Sequence, residues 1–132
     1  MASNIAAIIT RLRDQLSLGT DYNGIGPVPV PDNATLPYIT VQQIMLTKLQ
    51  SHDGDSGVGP CLMQVNCFDK NYETADALRA LVDEALDGLA GVFAGVTSQG
   101  ANHNHSHDIY DSERELHQCV TRHTVWFERD RV

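Results

Sequence analysis

The segment from Cys61 to Phe68 places the tightest constraint on the fold. Cys61, Met63, Val65 and Cys67 alternate with Leu62, Gln64, Asn66 and Phe68. A period of two is that of an extended strand, and here it produces one strongly apolar face. Such a strand needs sheet partners along its edges and a second layer over that face.

The first partner precedes it. Leu36 to Leu46 reads as a strand, with Ile39 and Val41 on one face and Tyr38, Thr40 and Gln42 on the other. Pro37 near its start marks an edge or an entry point. The polar stretch 50–60 joins the two strands as the long tip of an antiparallel hairpin. A second hairpin is expected nearer the C-terminus. His103 to Tyr110 runs out, Asp111-Ser112-Glu113-Arg114 turns, and Leu116 to Glu128 returns, ending in the apolar Val125-Trp126-Phe127. Residues 92–97 form a candidate short strand.

Two helices supply the covering layer. Over residues 4–17, Ile5, Ile8, Ile9, Leu12 and Leu16 recur at helical spacing, with Ser3 or Asn4 to cap the start and Gly19 to close the end. Over residues 72–89, Ala75, Leu78, Val82, Ala85, Leu86 and Leu89 make the apolar face, while Asp76, Arg79, Asp83 and Asp87 are expected to point away. Residues 19–35, rich in Gly and Pro, read as loop. The order predicts an α+β fold in a single domain over residues 1–132: an antiparallel β-sheet with two α-helices packed on one face. The opposite face could carry Tyr38, Leu62, Phe68 and Trp126, an apolar remainder that points to a partner.

Charge narrows the partners. The 132 residues carry a formal net charge of −8, from 17 acidic and 9 basic residues. A protein that grips phosphates needs the opposite surplus, so direct nucleic-acid binding is not expected. Three cysteines, Cys61, Cys67 and Cys119, are too few and too odd for a disulfide framework. Cys61 and Cys67 would lie about 20 Å apart along one strand face. No signal-peptide pattern is visible, and no apolar run approaches the ~20 residues that span a bilayer. A soluble protein made in a reducing cytoplasm, without membrane contact, is the expectation.

Motifs for chemistry are sparse. His103-Asn104-His105-Ser106-His107 would place three imidazoles on one strand face about 7 Å apart. His103, His105 and His107 could share a divalent metal with His52, Asp53 or His117 as fourth ligand, but no accompanying ligand helix is present. Asp53-Gly54-Asp55-Ser56-Gly57 starts like a calcium loop, yet Val58 and Gln64 stand where Gly and Glu are required. Gly24-Ile25-Gly26-Pro27 follows no strand and opens no helix, so it is no dinucleotide fingerprint. No Gly-x-Ser-x-Gly turn occurs, and His117 and His123 share a predicted face with Cys119 without forming a recognisable dyad. Neither an enzyme nor a bound cofactor is expected.

Two stretches carry a resemblance. Leu36-Pro37-Tyr38-Ile39-Thr40-Val41 opens the first strand after a Pro-rich loop. Tyr110-Asp111-Ser112-Glu113-Arg114-Glu115-Leu116-His117-Gln118-Cys119-Val120 leads to Val125-Trp126-Phe127. With the helix at 72–89 between two hairpins, the chain resembles the tail-terminator (tail-completion) family of siphophages, prophages and gene-transfer agents. The resemblance implies a structural virion protein at the tail and neck, made in the bacterial host. It implies a homo-oligomer, a hexameric ring, that binds the last layer of tail tube protein, stops its polymerisation and meets a head connector or stopper. DNA would pass only as cargo in the channel. The family offers no catalytic residues to carry over. Tyr38, Thr40, Gln42 and Trp126 on the sheet, and His52, Asp53 and Asp55 in the hairpin tip, are the candidate oligomer or partner contacts. Other readings are another neck component, such as a head-completion or connector protein, or a small metal-binding protein or enzyme using His103–His107.

Overall fold

The computed structural model describes residues 4–46, 50–51, 54–55, 58–87, 90–93 and 96–128. Its elements are α1 (Asn4–Gln15), β1 (Gly24–Pro27), β2 (Tyr38–Leu46), β3 (Gln50–Ser51), β4 (Gly54–Asp55), β5 (Val58–Asp69), α2 (Tyr72–Leu86), β6 (Gly91–Phe93), β7 (Val96–Asp111) and β8 (Leu116–Glu128). Six strands form one open sheet in the order β1-β2-β5-β8-β7-β6, and β3 pairs with β4 as a separate small ribbon. All pairings in the large sheet are antiparallel except β1 with β2. The expected α+β architecture is the observed one.

The alternating strand sits near the centre, where its pattern requires two neighbours. β5 pairs β2 on one side, with Val41 opposite Val65, and β8 on the other, with Cys67 opposite Cys119. Ile39, Val41, Met63, Val65 and Val125 turn to the helices and are fully buried. α1 adds Ala7, Ile8 and Leu12, and α2 adds Ala75, Leu78, Val82 and Leu86. Each fully buried Leu, Ile, Val or Met contributes about 1.5–3 kcal/mol through apolar area removed from water. α2 starts where Asn71 Oδ1 accepts from the Glu73 N–H at 2.9 Å, an N-cap placed directly after the end of β5.

Four expectations are corrected. Residues 19–35 are not all loop, since β1 lies within them and pairs in parallel with β2, Gly24 opposite Tyr38. Glycine hides this strand in the sequence, and the structure shows why glycine is there. A Cβ on Gly24 would run into the Tyr38 ring, and one on Gly26 would come 3.0 Å from the Tyr38 hydroxyl. Second, the strand expected at His103 starts earlier, at Val96. Third, Arg79 and Asp83 do not point away from the protein, because the flank of α2 still lies over strands that carry polar groups on the helix side. Fourth, the helix expected over 72–89 ends earlier, at Leu86, with Asp87 already in extended backbone; residues 88–89 lie outside the described residues.

Gly24→Ala is predicted to loosen the β1 edge by about 1–3 kcal/mol through overpacking against Tyr38. Urea denaturation measures the cost. The double variant Gly24→Ala/Tyr38→Ala should cost less than the sum of the two singles, because removing the ring removes the collision.

Candidate assembly surface

The sheet face away from the helices is built around a polar strip. Asn66 Nδ2 donates to Thr40 Oγ1 at 3.0 Å. Asn66 Oδ1 accepts from Gln64 Nε2 and from Gln118 Nε2, each at 2.9 Å. Gln64 Oε1 in turn accepts from Arg122 Nε at 2.8 Å. Thr40 and Asn66 are buried although no helix lies over them, and each amide is used by a neighbour. Tyr38, Gln42, Leu62, Phe68 and Trp126 are half-buried around this strip. The face is therefore mixed, with polar groups in the middle and apolar groups among those around them. Of the sequence candidates for partner contact, Tyr38, Gln42 and Trp126 reach its surface, while Thr40 is enclosed. His52 and Asp53 lie outside the described residues, and Asp55 ends the β3–β4 ribbon.

The histidine run is split. The β7–β8 register shifts between His103 and His105, an irregularity of the bulge kind. His103 therefore faces the helix side, opposite His123, with ring centroids 5.3 Å apart. His105 and His107 face the other side, 5.0 Å apart. Asn104, at the shift, donates to Thr124 Oγ1 at 3.1 Å. The three imidazoles thus do not share one face. Strict alternation placed them together, and the extra residue in the strand undoes it. Among the described residues, no group of three or more His, Cys, Asp or Glu side chains converges to hold a metal ion.

The helix side of β7 and β8 carries a polar seam against α2 that alternation alone did not reveal. Tyr72, Asp76, Arg79 and Asp83 follow one another at helical spacing along the flank of α2. Arg79 is only 13% exposed and pairs with Asp76 at 2.5 Å and Asp108 at 2.6 Å, and it also donates to the His107 carbonyl at 3.1 Å. Burial alone would lower its pKa, but the hydrogen bonds it donates to Asp76 and Asp108 outweigh this and raise it. Tyr72 donates its hydroxyl to Asp108 Oδ2 at 3.1 Å. Further along, Asp83 Oδ1 meets Thr121 Oγ1 at 2.5 Å and His123 Nε2 at 3.0 Å. His123 is buried, and its Nδ1 has no hydrogen-bond partner. Desolvation pushes Asp83 and Asp108 upward. For Asp83 the bonds from His123 and Thr121 prevail, and for Asp108 those from Arg79 and Tyr72, so both carboxyls sit below their ordinary value.

The seam's side chains bond chiefly to one another. The three cysteines are buried. Burial raises the Cys67 thiol and pushes Cys119 up to about 11, which keeps both protonated and poorly nucleophilic. A cleft of about 410 Å³ opens between the Pro-rich loop and the start of β8, lined by Pro31, Asp32, Lys70, Arg114 and Leu116 among others. Arg114 closes one side by donating to the Pro31 carbonyl at 3.1 Å. No helix among the described residues is long and apolar enough to cross a membrane.

The described residues thus combine internal polar pairing, a mixed open face and a long strand near one sheet edge. The family model described as tail completion protein gp17 matches residues 6–128. The chain belongs to that family. It is thereby a structural protein of phage-type tails. Among solved structures, a chain titled as the virion of a native gene transfer agent particle is similar in fold, with a TM-score of 0.71 at 16% identity over 96% of each chain. A search of curated proteins finds no match.

The pH dependence of the seam follows from its carboxylates. A depressed carboxyl stabilises the fold fully above its ordinary pKa of 3.8 and loses that contribution as pH falls through its lower folded value. Thermal unfolding midpoints are therefore predicted to fall as pH drops from about 4 towards 2. Asp83→Asn and Asp108→Asn should each flatten that slope.

Proposed function

We propose that the chain is a tail terminator: copies close into a hexameric ring that caps the tail tube, halts its polymerisation and joins it to the head connector. The observation that carries this reading is the tail completion family match across residues 6–128. The fold shared with a chain of a gene transfer agent virion supports a place in a virion, and the family match supports the tail and neck within it. Copies made in the host cytoplasm would assemble there.

The physical character of the chain agrees. A ring requires a head-to-tail contact between two different surfaces of one subunit. The sheet is open and ends in different strands on its two sides. The net charge of −8 would make a channel wall that repels DNA and lets it pass as cargo. Work done by assembly needs no catalytic residue, and the inward-facing Asp83–His123 pair and the protonated buried thiols fit a structural role.

Mass measurement of the purified protein should give a single closed oligomer of six copies. Negative-stain microscopy with purified tail tubes should show density capping one tube end, and tube growth should stop when the protein is added. A chain that remains monomeric at high concentration and leaves tubes uncapped overturns the reading. Binding to isolated connectors but not to tubes would move the protein to another neck position.

A further inference from the structure

The outer edge of β7 is largely unpaired. β6 covers only Val96, Thr97 and Ser98 of that strand. Among the described residues no strand pairs with the outer edge from Gly100 to Asp111. From His105 onward the strand is regular, contains no proline or lysine, and is free of register shifts. Those are the devices that usually blunt an exposed edge. Two large apolar side chains stand beside it in solvent, Ile109 at 43% exposure and Tyr110 at 54%.

The opposite edge of the same sheet is β1, which also has no strand beyond it among the described residues. It too is flanked by exposed apolar groups, Leu18 at 70% and Val28 at 41%. The two edges stand at the same height. Gly24 shares a rung with Tyr38, Phe68, Gln118 and Ile109. The next three rungs run from Ile25 to Asp108, Gly26 to His107 and Pro27 to Ser106. One parallel step and three antiparallel steps separate them, so β7 runs opposite to β1.

Resting on the ring reading above, we infer that β7 of one copy, over Ser106–Ile109, pairs antiparallel with β1 of the next copy, so that the sheet continues from subunit to subunit. Rotation about a ring axis keeps every strand's direction along that axis. It therefore brings these two opposed edges together in the antiparallel sense, the more stable pairing. With no displacement along the axis, Ile109 meets Gly24. That glycine bears no side chain and lies under the Tyr38 ring, so Ile109 gains an aromatic surface to pack on. Pro27 has no N–H to donate and ends the added ladder, as proline does at sheet edges. A second copy is the occupant that fits, because one chain carries both halves of the contact at matched height.

Cross-linking tests the junction. The native thiols are buried, so cysteines introduced at His105 and Val28, both exposed positions, are the reactive pair. Treating assembled His105→Cys/Val28→Cys with a short bis-maleimide should give a ladder of covalent multimers up to the full ring. Each single variant should stop at dimers or below. Ile109→Lys should raise the concentration needed for assembly roughly tenfold or more, with circular dichroism and urea unfolding unchanged. A ring that forms but yields no ladder overturns the β7–β1 junction and leaves the ring standing. Dimers from His105→Cys alone, without a ring, point to β7 pairing with itself and overturn it too. Absence of any oligomer overturns both the junction and the ring.

Discussion

The sheet is wider than the two helices that cover it, and much of the remaining structure follows from that mismatch. Strands lie about 4.8 Å apart and packed helices about 10 Å apart, so two helices shield roughly four strands. The six-stranded sheet exceeds this. Under α1 and α2 the helix-facing positions are apolar at Ile39 and Val41 on β2, Met63 and Val65 on β5 and Val125 on β8, and turn polar at Thr121 and His123 of β8, which bond Asp83 of α2. Past that cover the same alternation turns polar, with Asp108, Ser106 and His103 on β7. The flank of α2 answers with Tyr72, Arg79 and Asp83, which hold the transition between the dry core and the uncovered strand.

Much of this was legible in the residues. The period of two in Cys61–Phe68, and the helical spacing of Ala75, Leu78, Val82 and Leu86, stated both layers of the fold. Their burial is as expected because a period and a face are local properties of a chain. What escaped was non-local. β1 is four residues of Gly-Ile-Gly-Pro that look like a break until the Tyr38 ring is seen lying over the two glycines. Arg79 looks like a solvent-facing residue until Asp108, 29 positions away, is folded beside it. The Asp83–His123 pair joins two elements 40 residues apart and has no signature at all in spacing.

The candidate surface was legible in part. Tyr38 and Trp126 do lie on the face away from the helices, but the centre of that face holds a ladder of hydrogen-bonded polar side chains around Asn66. Such a ladder satisfies its own hydrogen bonds and resists drying, since each amide must keep a partner when water leaves. Contact through the strand edges would leave that network intact, whereas docking onto its centre would have to replace water over it. That difference favours an assembly that grows sideways from the sheet over one that stacks on it.

The register shift at Asn104 has a consequence for how this protein could change. It puts His103 on the helix side and His105 and His107 on the other, and deleting Asn104 would leave His103 and His105 consecutive in a regular strand, still on opposite faces. The bulge thus divides one imidazole-rich run between two settings, His103 beside the buried His123 and His105 with His107 on the open face.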